Sequence, residues 1–364
     1  MNFWKDKSVF ITGHTGFKGG WLCCWLELLG ARVAGYSLEP PTKPSMFEVA
    51  NVGQGIESTI GDIRDRESLL AAMKKAKPEI VIHLAAQPLV RASYREPVET
   101  YSTNVMGTVH VLDSVRQIPG VKVVLIVTSD KCYDNKEWWW GYRENDPMGG
   151  FDPYSSSKGC AELVTSAFRN SFFSPAAYAA HGVAVASARA GNVIGGGDWA
   201  EDRLIPDFVR AASEKKTLLV RNPKARRPWQ HVLEPLSGYL LLCEKLATGG
   251  AEYATGWNFG PNDDDAKSVD WIANTFADYW GPDAAWEWDR AEHPHEARYL
   301  KLDCSMARQR LGWKPRTSVD QAVEMTAAWY KQYFSGGDMR EFTIDQIKNF
   351  GKLNAPTANA IGGM

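Results

Sequence analysis

The first part of the chain alternates short, continuously apolar runs with segments of helical periodicity. The apolar runs are SVFITG (8–13), RVAGYSL (32–38), IVIHLAA (80–86) and VKVVLIVTS (121–129). Helical patterns between them cover KGGWLCCWLELLG (18–30), DRESLLAAMKKA (65–76) and NVMGTVHVLDSVRQ (104–117). Strands that are apolar on both faces are typical of a parallel sheet covered by helices on both sides. The alternation therefore predicts a doubly wound α/β fold.

A further helix (about 154–173) and strand (about 183–190) continue this series, and the pattern then changes. From about residue 195, polar loops rich in Gly, Pro, Arg and Asn separate short helices: GGGDW, RNPKARRPW, NFGPNDDDAK and DRAEHPHEAR. Long loops of this kind commonly carry function. We therefore predict a Rossmann-type cofactor-binding domain over 1–190 with sheet returns from later segments, a mainly substrate-binding lobe over 191–345, and a tail over 346–364.

Composition and charge exclude several classes of protein. Lys plus Arg number 41 and Asp plus Glu number 43, so the formal charge of −2 gives no support to nucleic acid or an anionic membrane as partner. The start, MNFWKDKSVFITG, has no apolar signal core, and no apolar run approaches the ~20 residues of a membrane span. The six cysteines form no CxxC pair and no Cys/His ligand set. These features predict a cytoplasmic protein with reduced cysteines and no metal site.

A glycine turn follows the first predicted strand, in TGHTGFKG. Gly13, Gly16 and Gly19, with Phe17 between them, open the first helix with GxxGxxG spacing. Glycine lets the backbone approach a pyrophosphate, and the helix N-terminus offers free N–H groups and a partial positive charge. Because the turn lies in the first strand–helix unit, we predict that it binds a dinucleotide.

The second strand ends where an acid commonly binds the adenosine ribose. Here Ser37 places a hydroxyl at that position, and no arginine follows immediately to accept a 2′-phosphate. NAD is therefore favoured over NADP. Asp62 and Ile63, after the third strand, either contact the adenine amino group or, in the case of Asp62, cap the next helix or turn.

The chemistry-bearing residues stand at the end of the apolar run 121–129 and in the following helix. Tyr154 and Lys158 form Y-x-x-x-K, and four residues apart they share a helix face. A free phenol titrates near ~10, and a nearby ammonium together with an oxidised nicotinamide favours phenolate. With the Ser129 hydroxyl, this tyrosine can take a proton from a sugar hydroxyl while hydride leaves the same carbon.

At these motifs the chain resembles the extended short-chain dehydrogenase/reductase superfamily, whose members act on nucleotide sugars. The resemblance spans nearly the whole chain and includes HLAAQ (83–87), TNVMGT (103–108) and AGNVIGGGDW (190–199). A closer resemblance, to the CDP-glucose group of the sugar 4,6-dehydratases, rests on GHTGFKGGW (13–21), TSDKCYDN (128–135), EWWWGYRENDPMGGFDPYSSSK (137–158) and RNPKARRPWQHVLEPLSGYL (221–240). Sugar 4,6-dehydratases usually have Asp followed by Glu after the hydroxyl, whereas here Lys131 follows Asp130, as in that group.

The resemblance implies a lyase reaction on CDP-glucose. Oxidation at C4 makes the C5 hydrogen acidic, a base removes it, and an acid protonates the departing C6 hydroxyl. The hydride then returns to C6, so NAD is regenerated. Asp130 is the candidate acid. Lys131 is the candidate base, or it holds the enolate electrostatically, since a lysine is a base only when neutral.

The resemblance also implies which residues contact cofactor and substrate. Ala85 is expected at the cofactor, Arg227 at the diphosphate, and Asn192 and Asn258 at the diphosphate or the substrate-loop backbone. The remaining substrate candidates are Gln87, Arg91, His295 and Arg298, of which Arg298 can equally be a solvated surface charge. His83 is predicted to be a packed strand residue.

Other functions stay open on the sequence alone. A different nucleotide-sugar dehydratase or a 4-epimerase could use the same Tyr154 and Lys158, although an epimerase has no need of Asp130 and Lys131. A non-catalytic NAD-sensing protein would need neither motif. The resemblance further implies deoxysugar biosynthesis, including that of lipopolysaccharide O-antigen, and a homodimer packed through helices near 100–118 and 155–173.

Overall fold

A computed structural model describes residues 2–291 and 299–353 of the chain. Its centre is a seven-stranded, wholly parallel sheet, which confirms the predicted doubly wound α/β fold. The sheet strands are β1 (Ser8–Thr12), β2 (Arg32–Ser37), β3 (Glu57–Ile60), β4 (Ile80–His83), β5 (Val123–Val127), β6 (Ala184–Ala190) and, further along the chain, β11 (Gly256–Phe259). Their spatial order is β11-β6-β5-β4-β1-β2-β3.

Six short strands lie outside this sheet and pair two by two. They are β7 (Val193–Ile194), β8 (Thr217–Val220), β9 (Arg226–Pro228), β10 (Gln230–His231), β12 (Ala266–Ser268) and β13 (Ala285–Trp288). The pairs are β7 with β10, β9 with β12, and β8 with β13. All six belong to the predicted substrate-binding part of the chain, while β11 is one of the predicted returns to the main sheet.

The helices flank the sheet and build the smaller lobe. Those up to residue 181 are α1 (Phe17–Leu28), α2 (Met46–Val49), α3 (Arg66–Ala76), α4 (Val90–Arg95), α5 (Pro97–Tyr101), α6 (Gly107–Val115), α7 (Pro153–Ser171) and α8 (Tyr178–His181). The later ones are α9 (Leu204–Ser213), α10 (Leu233–Gly249), α11 (Val269–Trp280), α12 (Val319–Phe334) and α13 (Met339–Lys352). A π-helical turn, Ser102–Met106, joins α5 to α6.

The core lies on both faces of the sheet, as the continuous apolar strands require. In β5, Leu125 belongs to the cluster formed with α1 and α10, whereas Val124 and Ile126 belong to the cluster formed with α3 and α6. Side chains of a strand alternate between faces, so a strand covered on both sides is apolar throughout. By contrast, the edge strand β3 is exposed along its length, whereas β11 at the opposite edge is buried.

The strand order reverses between β1 and β4, which both leave the sheet at the same edge. In open α/β sheets the crevice outside the carboxyl ends of the strands at such a reversal is the usual ligand site. The glycine turn after β1 and the Ser129 segment after β5 therefore face one crevice.

The predicted tail boundary at residue 346 is wrong. Helix α13 continues to Lys352 because Ile347 and Phe350 are buried against the core, Phe350 edge-on to the Trp25 ring. The division into two domains at residue 190 stays a prediction. Within 2–291 and 299–353, no helix is long and apolar enough to span a membrane. All six cysteines are free thiols.

Candidate active site

A cavity of about 1620 Å³ opens over the carboxyl ends of the parallel strands and reaches into the smaller lobe. Most of the residues predicted from the sequence line it: Gly13, Gly16, Phe17, Gly19, Ser37, Asp62, Ile63, Ala85, Arg91, Ser129, Asp130, Lys131, Tyr154, Lys158, Asn192 and Arg227. Segments far apart in sequence thus meet at one volume large enough for two ligands side by side.

The glycine turn at one end of this cavity is closely packed. Gly13 has φ +81°, and a Cβ there would lie 2.7 Å from the Ala85 amide nitrogen. A Cβ on Gly19 would overlap the carbonyl oxygen of Gly13. Helix α1 begins after Gly16 without a side-chain cap, so its first amides have no competing partner from the cap residue. This arrangement fits a dinucleotide pyrophosphate.

The Ser37 hydroxyl, at the expected ribose position, is already paired within the protein. It lies 2.8 Å from Thr15 Oγ1, which also donates to the Leu38 carbonyl oxygen at 2.9 Å. Thr15 is in the glycine turn, so the pair joins the end of β2 to the start of α1. A ribose hydroxyl at this place would meet a hydroxyl pair rather than a carboxylate.

Asp62 takes the role of a turn cap. One of its oxygens accepts from the Arg64 amide at 2.8 Å, and the other accepts from the Arg64 guanidinium at 2.6 and 2.8 Å. The guanidinium hydrogen bond lowers the pKa of the Asp62 carboxyl. Both oxygens are therefore engaged locally, which favours the second of the two predicted roles. Ile63 is buried and packs close to Gly107.

Tyr154 and Lys158 lie on the first two turns of α7, which Asp152 caps by accepting from the Ser155 amide. Burial raises the pKa of Tyr154 to about 12, with the Ser129 hydroxyl acting in the opposite direction. Burial lowers the pKa of Lys158 to about 8. Desolvation of the buried ring is the largest cause for Tyr154, and the lowering of the phenol pKa by Lys158 together with an oxidised nicotinamide stays a prediction.

The Ser129–Lys131 segment forms a tight 3₁₀ turn against the cavity. The Ser129 hydroxyl donates to Asp130 Oδ1 at 3.0 Å and accepts from the Lys131 amide at 3.2 Å. Asp130 is 1% exposed, and its Oδ2 has no hydrogen-bond partner among the described residues. Gly191 lies over that oxygen, since a Cβ on it would be 3.1 Å away. One oxygen of this buried carboxylate thus makes no hydrogen bond with the described residues.

Charged and amide side chains line the cavity on the lobe side. Arg91 and Arg221 both pair with Asp202, at 3.2 and 3.3 Å. Asn192 Oδ1 is buried without a partner in the part of the chain that the structure describes. Arg227 lies on β9 and donates to the Arg226 carbonyl oxygen at 3.0 Å.

Two predicted substrate residues do not line the cavity, because the protein itself uses their amides. The Gln87 side chain donates to Thr100 Oγ1 at 2.8 Å and accepts from the Leu89 amide at 2.6 Å. Asn258 is fully buried and donates to the carbonyl oxygens of Tyr142 and Asp303. Asn258 therefore holds the backbone at Tyr142 and Asp303, whereas Gln87 organises the loop after β4.

The remaining histidine and arginine predictions have different outcomes. His83 is buried between Thr12 and Thr108, with Nδ1 2.6 Å from the Thr12 hydroxyl, which confirms it as a packed strand residue. His295 and Arg298 lie outside the described residues. Residues 2–291 and 299–353 contain no group of three or more His, Cys, Asp or Glu side chains placed to hold a metal ion.

The sequence analysis did not single out three charged residues of the cavity wall. Lys18, inside the glycine turn, has its pKa lowered to about 8 by burial and by the positive charges of Arg203 and Lys158. Arg203 pairs with Asp198 at 2.7 Å. Lys18 could have been found from the sequence, because it is a lysine between the glycines of a predicted phosphate-binding turn. Arg203 and Asp198 carried no local signal beyond their position in a polar loop.

Comparison with known proteins gives one family and one group of relatives. The profile of the GDP-mannose 4,6 dehydratase family matches residues 10–326. The chain is 60% identical over 349 residues to CDP-glucose 4,6-dehydratase of Salmonella typhimurium, covering 96% of this chain and 97% of that protein. It is 26% identical over 345 residues to dTDP-glucose 4,6-dehydratase of Xanthomonas campestris, covering 88% and 92%.

Solved structures share the fold. The UDP-glucose 4-epimerase of Stenotrophomonas maltophila with bound NAD superposes with a TM-score of 0.77 at 21% identity, over 91% of this chain and all of that one. The dTDP-glucose 4,6-dehydratase of Bacillus anthracis in complex with NAD superposes with a TM-score of 0.74 at 21% identity, over 91% and 98%. At these identities the likeness is one of fold alone.

Proposed function

Since the chain belongs to the GDP-mannose 4,6-dehydratase family, we propose that it converts CDP-glucose to CDP-4-dehydro-6-deoxyglucose and water. The relative that is 60% identical along nearly the whole chain carries that activity in its name. The observation that carries the proposal is the meeting of two sets of residues at one cavity: Ser129, Tyr154 and Lys158, which suit oxidation, and Asp130 with Lys131, which suit elimination.

The cofactor we assign is NAD. The residues of the glycine turn fit its pyrophosphate, because the turn excludes any Cβ at Gly13 and Gly19 and leaves the start of α1 without a side-chain cap. Ser37 and Thr15 are assigned to the ribose, which would meet their paired hydroxyls. Bound there, NAD supplies a hydride acceptor that is regenerated within each turnover.

Oxidation at C4 is assigned to the first set. Tyr154 takes the proton of the C4 hydroxyl, and Ser129 lies beside the phenol to hold the sugar oxygen. Lys158, four residues further along α7, stabilises the phenolate with its ammonium. Burial of the Tyr154 side chain raises the pKa of its phenol, so deprotonation depends on the positive charges around it.

Elimination is assigned to the second set. Asp130 is assigned as the acid that protonates the departing C6 hydroxyl, and one of its oxygens, Oδ2, has no partner among the described residues. Lys131 takes the C5 proton or holds the enolate with its charge. An epimerase needs the first set alone, so the second set is what makes this site a dehydratase site.

The nucleotide sugar is held from the lobe side. Arg227, which lines the cavity on β9, is assigned to the diphosphate, because a guanidinium matches two phosphate oxygens with parallel hydrogen bonds. Asn192 presents a buried amide oxygen to the same space and can accept from a sugar hydroxyl. Arg91, paired with Asp202, is placed to contact the sugar or the diphosphate.

The experiment that tests this proposal is incubation with CDP-, dTDP-, UDP- and GDP-glucose and detection of the loss of one water by mass. CDP-glucose should be dehydrated without net reduction of NAD, and a deuterium at C4 of the substrate should be found at C6 of the product. Inversion at C4 without loss of water would make the protein an epimerase. Preference for another nucleotide would overturn the CDP assignment, and turnover of none of these sugars would support a sensing role.

A homodimer in the cytoplasm completes the proposal. The face formed by α5, the π turn and α7 carries exposed apolar side chains, among them Val98 (81% exposed), Met106 and Leu163. Apolar side chains clustered on neighbouring helices suit a symmetric helix-to-helix interface. The six free thiols suit a reducing compartment. Light scattering of the purified protein distinguishes dimer from monomer.

A further inference from the structure

A pair of opposite charges lies buried beneath the catalytic segment and lines no part of the cavity. Glu162, on α7, and Arg189, on β6, are both nearly inaccessible, and their side chains meet at 2.7 Å. Glu162 is one helical turn beyond Lys158 and two turns beyond Tyr154, so it stands on the same stripe of α7. None of the roles proposed above uses this pair.

The two charges hold opposite ends of the segment that carries Ser129, Asp130 and Lys131. At the front end, the Thr128 hydroxyl donates to Glu162 Oε1 at 2.5 Å. At the back end, Arg189 donates to the Tyr133 hydroxyl at 2.7 Å. The pair therefore contacts the residue before Ser129 and the residue two after Lys131.

The network extends from both ends into fixed parts of the molecule. The second oxygen of Glu162 accepts from the Ser187 hydroxyl at 2.7 Å as well as from Arg189. The Tyr133 hydroxyl donates a hydrogen bond to Asn258 Oδ1 at 2.7 Å, and Asn258 lies on β11. Side-chain hydrogen bonds thus connect α7, β6, β11 and the segment that directly follows β5.

Stability alone does not explain a pair in this place. Replacing a buried ion pair by apolar side chains of similar volume is often neutral or stabilising, since desolvation of the two charges offsets their attraction. Directional hydrogen bonds from a guanidinium and a carboxylate instead specify distances and angles. Such specification is of use where two segments must face each other at fixed separation.

We propose that Glu162 and Arg189 are positioning residues: they fix both ends of the segment 128–133 to α7 and β6, and so set Ser129 and Asp130 opposite Tyr154 and Lys158. The inference rests on the dehydratase function proposed above. A displacement of about 1 Å between reacting groups can lower a rate by about 10²-fold, so a rigid connection of this kind has a direct kinetic effect. The Glu162 charge also opposes the lowering of the Lys158 pKa by burial.

The test removes each connection while leaving the ion pair in place, because removal of one charge would leave the other buried and uncompensated. Thr128→Val removes the hydroxyl at the front end, and Tyr133→Phe removes it at the back end. Thr165→Val is the matched control, since the Thr165 hydroxyl is fully buried on the same helix and donates to the Ala161 carbonyl oxygen at 2.7 Å. Thr128→Ser restores the hydroxyl and serves as the rescue.

We expect Thr128→Val and Tyr133→Phe each to lower kcat for CDP-glucose by about 10- to 100-fold. The KM should stay within about twofold, because the groups assigned to substrate binding lie elsewhere. Thr128→Ser should recover most of the rate, and Thr165→Val should resemble the wild type. If both site variants keep the kcat of the control while their melting temperatures fall, the network is structural only and the inference is overturned.

Crystal structures of the variants separate this inference from the proposed function. In Thr128→Val and Tyr133→Phe, Ser129 and Asp130 should be displaced relative to α7, whereas in Thr165→Val they should not. This displacement is measurable even if the wild type dehydrates no CDP-glucose, a result that would overturn the proposed function and not the positioning role. An undisplaced segment in both variants would overturn the positioning role whatever the substrate.

Discussion

Strands β5 and β2 of the same sheet end at the same cavity, but the polar groups at the two strand ends differ in their hydrogen bonding. After β5, the Asp130 carboxylate is buried with one oxygen that no described residue binds. At the end of β2, Ser37 is also buried, but its hydroxyl lies 2.8 Å from Thr15 Oγ1. The β5 end therefore holds a buried acceptor without a partner among the described residues. The β2 end holds two hydroxyls that are already paired with each other.

We interpret the difference as one between a group proposed to react and a group proposed only to bind. Leaving a buried polar atom without a partner costs about 1–3 kcal/mol of folding free energy, and such atoms persist mainly where function uses them. Next to β5, Glu162 and Arg189 hydrogen-bond the hydroxyls of Thr128 and Tyr133, while Arg189 Nε itself has no partner among the described residues. Next to β2 no such cost arises, and the cofactor would gain correspondingly little from a hydroxyl already engaged with the protein.

The largest effect should come from Tyr154→Phe, which tests whether the β5 end is the reactive one. The ring keeps its buried packing, but the oxygen that takes the C4 proton is lost. Positioned acid–base groups contribute about 10²–10⁴-fold, and we expect kcat to fall by about 10⁴-fold. NAD affinity, measured by calorimetry, should stay close to that of the wild type. Near-normal turnover would remove Tyr154 from the chemistry.

The next largest effect should come from Asp130→Asn, which preserves the shape of the side chain but cannot donate a carboxylic proton. Oxidation relies on Tyr154, Lys158 and Ser129 and should survive, while elimination should slow by about 10²–10⁴-fold. We therefore expect reduced-nicotinamide absorbance that forms on mixing with CDP-glucose and does not decay. A variant that never develops this absorbance would assign Asp130 to the oxidation step.

Lys131→Ala sharpens the assignment of the second set. If Lys131 takes the C5 proton, the variant should stop at the same stage as Asp130→Asn, and exchange of the C5 hydrogen with heavy water should cease. Exchange that continues without loss of water would show that Lys131 acts through its charge and that another group is the base.

The sequence predicted the grouping of the candidate catalytic residues around one cavity, because these residues lie close together along the chain. Ser129, Asp130 and Lys131 are consecutive, and Tyr154 and Lys158 are one helical turn apart, so the strand and helix pattern sufficed to place them. Glu162 extends that helical spacing by one more turn and could have been found in the same way. Arg189 could have been noticed as a charge in an otherwise apolar strand.

The lobe side was harder to predict because its partners are distant in sequence. Gln87 and Asn258 carry amides suited to a ligand, but loops near Thr100, Tyr142 and Asp303 occupy them. Only the tertiary fold decides whether such a side chain turns to the cavity or to a neighbouring loop. Motif spacing likewise says nothing of the desolvation that raises the pKa of Tyr154 in the protein.

A smaller effect should appear in the pH profile. Burial lowers the pKa of Lys158 to about 8, so its ammonium, which supports the Tyr154 phenolate, is present below that pH and lost above it. We expect kcat to fall on the basic side of about pH 8, by roughly tenfold for each further pH unit. Lys158→Arg keeps its charge at all these values, so its activity, though reduced, should lack this basic limb. A limb that persists in Lys158→Arg would belong to another group.

The smallest effect concerns the β2 end and tests whether the paired Ser37 hydroxyl limits the affinity for NAD. Ser37→Asp places a carboxylate where it can accept from both ribose hydroxyls and from Thr15, close to the N-terminus of α1, whose partial positive charge favours an anion. A hydrogen bond to a charged group contributes about 1.5–3 kcal/mol, and after desolvation of the new carboxylate we expect the Kd for NAD to fall by about tenfold. NADP should bind more weakly than to the wild type, because its 2′-phosphate would meet the new charge.

The control is Ser37→Asn, whose side chain has the size of aspartate but no charge. It should leave the affinities for NAD and NADP nearly unchanged. Equal behaviour of the Asp and Asn variants in calorimetry would mean that the ribose does not contact this position, and the contrast between the two strand ends would then rest on β5 alone.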